Sequence, residues 1–251
     1  MIYHTQPGPL QKRISALFGA ATTSTFEGDL YALIVPDTNH MSGAHIAADL
    51  FKLTEGHVFD TVVLVAPSHE EAFQRINICE VDTYHSPLGA LPVNDIVRNE
   101  LCDEDDDIFI GDEGHFHTSG IDVQLPYLQT VQPKFDIVPI VMGNETPPFC
   151  EELGHALGEV SYNRRMLVVA CANIISGSDE DLSLMRSYIE DGAVEELTKL
   201  LASETVHMEG QGAVLVAMIA ARHRGRRQAQ VMHLESPKDG GKGYLGAVLY
   251  N

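Results

Sequence analysis

Four stretches of this chain are dominated by apolar residues: YALIVP (31–36), DTVVLVAP (60–67), FDIVPIVMG (135–143) and RRMLVVACANIISG (164–177). A strand with one wet face alternates apolar and polar residues. A strand covered on both faces does not. These runs are therefore predicted as buried strands, and something must cover each face. The intervening segments supply the covers. SGAHIAADLFKLTEG (42–56), GIDVQLPYLQTV (120–131), PPFCEELGHALGEV (147–160), DEDLSLMRSYIEDGAVEELTKLLAS (179–203) and GAVLVAMIAARHRG (212–225) carry apolar residues at helical spacing. Ser42 is expected to cap the first of these and Gly56 to stop it. RINICEVDTY (75–84) reads as a further strand, LPVNDIVRNELC as a helix and DEDDD (103–107) as a solvated loop. QAQVMHLES and KGYLGAVLY close the chain as strands. The expected fold is α/β: one domain over residues 1–251, with a predominantly parallel buried sheet covered by helices.

Charge narrows the function. The formal net charge is −20, which repels phosphate backbones and anionic bilayers, so neither nucleic acid nor membrane is an expected partner. No apolar run approaches the roughly 20 residues that cross a bilayer. The first residues lack a signal-peptide pattern, so a cytoplasmic location is expected. The four cysteines, Cys79, Cys102, Cys150 and Cys171, form no CxxC pair and are expected as reduced thiols. RHRGRR (222–227), the one basic cluster, is expected to end a helix, where cations suit the dipole.

Ligands of such sheets gather at the carboxyl ends of the strands. Here those ends read PDTNH (36–40), PSH (67–69) and ANIISG (172–177). His69 stands where a turn residue would suffice. Asp37 and His40 follow the first strand, and either could face the same pocket.

The ordered set of segments resembles the Memo family, whose members share a fold with the class III extradiol dioxygenases, enzymes that use non-haem iron. VVLVAPSH (62–69) is similar to the family strand that ends in Pro-Ser-His. VDTYHSPLGALPVN (81–94) is similar to its Thr-Pro-Leu-Gly turn, IDVQLPYLQ (121–129) to its Gln-Leu-Pro helix, IVPIVMG (137–143) to its Val-Pro-Ile strand and GYLGAVLY (243–250) to its last strand. The resemblance implies that His69 is a metal ligand. It places Asp37 where the family has a pocket histidine. Counting back from GAVLVAMIAA, it places His207 where the family has a pocket cysteine. Asp37, His69 and His207 would make the two-imidazole, one-carboxylate set favoured by non-haem Fe(II). With His40 in place of Asp37, three imidazoles would suit zinc or copper as well.

The chain also departs from the family. Ala172 and Ile175 stand where the family has an Asp and a His, and Thr118-Ser119-Gly120 align with its Glu-His-Ser. His115 and His117 lie just upstream and are the candidates for acid–base work. Two functions are therefore expected from the sequence. One is a metal-dependent redox or dioxygenase-like enzyme for a small molecule, with iron first and copper or zinc as alternatives. The other is a non-catalytic member that holds a peptide or protein partner in its cleft.

Overall fold

The computed structural model describes residues 5–22, 26–38, 41–69, 73–102, 107–115, 119–225, 228–238 and 240–251. Helix α1 (Pro7–Ala20) leads into β1 (Leu30–Pro36), α2 (Met41–Lys52) and β2 (Thr61–Pro67). Then come β3 (Ile76–Ile78), β4 (Thr83–Ser86), β5 (Gly89–Pro92), α3 (Asp95–Leu101), β6 (Ile108–Ile110) and α4 (Ser119–Val131). The second half runs β7 (Asp136–Met142), α5 (Pro147–Val160), β8 (Met166–Ser176), α6 (Asp179–Glu190) and α7 (Val194–Ala202). It closes with β9 (His207–Glu209), α8 (Gln211–His223), β10 (Gln228–Glu235) and β11 (Tyr244–Tyr250).

The main sheet runs β10-β11-β1-β8-β2-β7-β3-β6, with β9 added on β8. Its centre is parallel: β1 with β8, β8 with β2, and β2 with β7. The flanks reverse, since β11 is antiparallel to β1 and β3 to β7. All four continuous apolar runs of the sequence are the central strands, as their two-sided hydrophobicity requires. Their residues divide by parity. Ile34, Val63, Val65, Val138, Ile140 and Val168 face α3, α5, α6, α7 and α8. Leu33, Val35, Val62, Leu64, Ile137 and Val169 face α1, α2 and α4. Helix α8 is buried from Gly212 through Ala221, so it packs on all sides rather than along one stripe.

Several local expectations change. RINICEVDTY is not one strand: β3 stops at Ile78, and Thr83–Ser86 turns back on Gly89–Pro92 as a separate hairpin, β4–β5. Helix α3 starts only at Asp95, because the Asn94 side chain accepts from Val97 N–H and fixes the first turn there. The long helical stretch after Gly177 breaks in two at Gly192, whose φ of +66° is left-handed. Ser42 lies inside α2, and its hydroxyl pairs with Tyr244 Oη at 2.7 Å. Pro126 lies within α4. The first four residues of the acidic DEDDD loop lie outside the described residues.

The link from β9 into α8 depends on one residue. Gly210 has φ +81°, and a Cβ there would lie 2.2 Å from the Cys171 carbonyl oxygen. Gly210→Ala is thus expected to lower stability by about 1–3 kcal/mol through left-handed strain, with the clash against β8 adding to it. Urea unfolding of the variant beside the wild type measures this, and an unchanged midpoint would contradict the close packing of this turn.

Candidate functional site

The three central strands β1, β8 and β2 end side by side, with Pro36 opposite Ala172 and Val65 opposite Ala170. Asp37 is the first residue after β1, and His69 is the second after β2. Main-chain contacts fix both ends. Asp37 N–H donates to the Ala172 carbonyl at 3.2 Å, and Ser68 N–H donates to the Met142 carbonyl at 3.0 Å. From α4, the Gln124 amide donates to the Pro36 carbonyl at 3.1 Å. The Gln-Leu-Pro helix is thereby tied to the residue before Asp37.

The third member arrives from far along the chain. Strand β9 runs antiparallel to the end of β8 and sets Glu209 opposite Asn173. His69 then lies between two carboxylates. Its Nε2 is 2.8 Å from Asp37 Oδ2, and its Nδ1 is 3.4 Å from Glu209 Oε1. One ligand atom from each of Asp37, His69 and Glu209 lies within 4.8 Å of the others. Among the described residues this is the one group of three or more such side chains close enough to share an ion.

The surroundings hold the trio in place. Buried Asn173 donates its amide both to the Asp37 carbonyl and, at 3.0 Å, to Glu209 Oε2. Lys242 Nζ also contacts Glu209 Oε2. The Asp37 side chain is buried, and its Oδ1 has no hydrogen-bond partner among the described residues. It faces Gly120, where a Cβ would stand 2.8 Å from that oxygen. A buried carboxylate oxygen without a donor is costly unless something positive reaches it. The site therefore offers a cation a buried carboxylate oxygen that no donor among the described residues meets.

Proton affinities follow from this geometry. Hydrogen bonds to Asp37 and then Glu209 outweigh burial and raise His69 to about 10. The same His69 contact, helped by Lys242 and Asn173, brings Glu209 down to about 2. Glu145, three residues past β7, behaves oppositely. Burial pushes its carboxyl up to about 7, against the Gly212 N–H that it accepts at 3.1 Å, and the charges of Glu209 and Asp37 push the same way. From the loop between β7 and α5, Glu145 thus reaches the start of α8 and the charges of the trio.

Of the residues expected from the sequence, Asp37 and His69 come together. His207 does not join them. It is exposed on β9, opposite Ser176 and two residues before Glu209. His115 is buried elsewhere, with Nε2 3.1 Å from the Asn77 carbonyl, and burial lowers its pKa. His40 and His117 lie outside the described residues. Ala172 is fully buried in the core, and Ile175 is exposed. Glu209, Asn173, Lys242 and Glu145 were not singled out by sequence reasoning. The one available signal was the HME-Gly pattern, in which alternation puts residues 207 and 209 on the same side of a short strand.

A family model described as Memo-like protein matches residues 1–248. The chain belongs to the Memo family. It is 27% identical over 232 residues to a MEMO1 family protein of Saccharolobus solfataricus, covering 85% of this chain and 81% of that protein. It is 26% identical over 223 residues to one from Thermotoga neapolitana, covering 84% and 74% respectively. The crystal structure of an uncharacterized protein from Escherichia coli K12 aligns with a TM-score of 0.55 at 14% identity, covering 88% of this chain and all of that one. That likeness concerns the fold alone. In this Memo-family protein the second strand runs into Pro-Ser-His, and two acids flank the histidine.

Two pH effects follow for the metal-free protein. His69 is raised from 6.5 to about 10, so its stabilising charge is fully present below pH 6.5 and is lost as pH rises through about 10. The stability advantage of wild type over His69→Gln should shrink across that window, read by urea unfolding at several pH values. A constant difference would contradict the imidazolium bridge. Glu145 is raised from 4.5 to about 7, so the folded state is penalised as pH rises between those values. Glu145→Gln should gain roughly 1–3 kcal/mol over wild type at pH 8 relative to pH 4.5. No gain would mean that this carboxylate is well solvated.

Proposed function

We propose that Asp37, His69 and Glu209 hold a divalent metal ion, and that the protein uses it in redox chemistry on a small molecule. The observation that carries this reading is the convergence of three ligand-bearing side chains on one point at the strand ends, with a buried Asp37 oxygen left over. One imidazole and two carboxylates are a hard, oxygen-rich set. It favours Fe(II) over Cu(I), and zinc is the next alternative. The bound ion would supply positive charge and open coordination positions.

The chain's own residues do the rest. Asp37 and Glu209 orient the His69 ring from both sides. Asn173 and Lys242 hold the second oxygen of Glu209, leaving Oε1 directed at the centre. Metal binding requires a neutral imidazole, so His69 must release the proton that its acids retain. Glu145 titrates near neutral pH beside the site and is our candidate for accepting and returning protons. We prefer it to His115, which is occupied with the Asn77 carbonyl. Four free thiols, three of them buried, support a reducing, cytoplasmic setting.

A second reading has one observation in its favour. The family's Asp and His are replaced here by core Ala172 and exposed Ile175, which suits a non-catalytic member that binds a peptide. Metal content separates the two. Protein purified without oxygen or chelator should contain close to one divalent ion per chain. His69→Ala and Glu209→Gln should lose it, and His207→Ala should keep it. Failure of the wild type to take up Fe(II), Mn(II) or Zn(II) would overturn the metal reading and favour the peptide-binding one.

A further inference from the structure

A second pair of imidazoles meets at the far end of α8. Helices α5 and α8 pack closely because α5 presents glycines to the contact. A Cβ on Gly154 would lie 2.7 Å from Ile219 Cβ, and one on Gly158 would lie 2.6 Å from His223 Cβ. At the end of this seam His155 Nδ1 stands 3.2 Å from His223 Nδ1, with ring centroids 5.4 Å apart and planes at 71°. Both side chains are exposed. The twelve residue steps from Gln211 to His223 place this pair about 18 Å along the helix axis from the Glu209 end.

The two ring nitrogens are within hydrogen-bond distance of each other. One metal ion fits the same gap. Metal–nitrogen bonds of about 2.0–2.1 Å put two ligand nitrogens roughly 3–3.4 Å apart. Beside the pair runs a cleft of about 400 Å³ lined by His155, Glu151, Glu195, Lys199 and Arg222, among others. Arg222 is held by Glu195 at 2.7 Å, and Glu151, one turn before His155, is matched by Lys199 on the same lining. The net charge of −20 favours cations over the surface as a whole.

We propose that His155 and His223 form a solvent-facing two-imidazole site for a borderline transition-metal ion, Cu(II) or Zn(II). Among the described residues no acid or thiol joins them as a third ligand, so water completes the coordination. The site is separate from the Asp37–His69–Glu209 centre and does not depend on it. Imidazole ligation selects it for copper or zinc, whereas the first site prefers harder ions.

The test is Cu(II) titration followed by electron paramagnetic resonance in the His69→Ala protein, where the first site is disabled. One equivalent of copper with coupling to two imidazole nitrogens is expected. Adding His155→Ala or His223→Ala should weaken that equivalent at least tenfold and remove the two-nitrogen pattern. An unchanged spectrum in both double variants would place the copper on other histidines and overturn the proposal. Absence of any nitrogen-coupled copper in His69→Ala would do the same. If His69→Ala does not fold, the comparison moves to wild type, where each substitution should remove one imidazole-bound equivalent and spare the first site. Full retention there would also overturn it.

Discussion

An imidazole held between two carboxylates governs the carboxyl end of this fold. Asp37 and Glu209 each add a negative charge close to the strand ends, and neither would tolerate the other without a cation between them. His69 is that cation in the metal-free chain, and Lys242 offsets the remaining charge from outside. The arrangement also carries information about sequence distance. Residues 37, 69 and 209 meet only if the three central strands are in register and β9 folds back on β8. A frame error in any one of these would leave a buried acid unpaired, which is expensive. The trio therefore acts as a check on the topology.

Much of the fold was legible because the central strands are buried on both faces and their residues say so without ambiguity. Asp37 and His69 were legible for a related reason, since each directly follows such a run. Glu209 was not. It sits on a strand of three residues, too short to show a period, and counting back along the chain from α8 selects His207 two places earlier. Strand alternation makes residues 207 and 209 equivalent in direction, so only the pairing with Asn173 decides which reaches His69. Glu145 was hidden differently. In sequence it is one acid in a polar loop, and only the docking of α8 against that loop partly covers it.

The hairpin β4–β5 and the break at Gly192 show the same limit on a smaller scale. Apolar residues with few turn signals read as longer elements than the chain forms. A local group decides two such boundaries: the Asn94 cap starts α3, and the left-handed Gly192 parts α6 from α7. Such choices depend on one or two hydrogen bonds, below the resolution of pattern reasoning.

Helix α8 has one more consequence. It is surrounded by protein from Gly212 to Ala221, so it cannot slide or tilt without opening the core. Glu209 and the Glu145 contact lie at one end of it, and His223 at the other. Both ends are thus mounted on an incompressible strut. Strain at the strand ends must be taken up by side chains and by the exposed Lys242 turn, not by the framework. The protein should behave as a rigid holder whose responses are local, with a change at one end of α8 absorbed there.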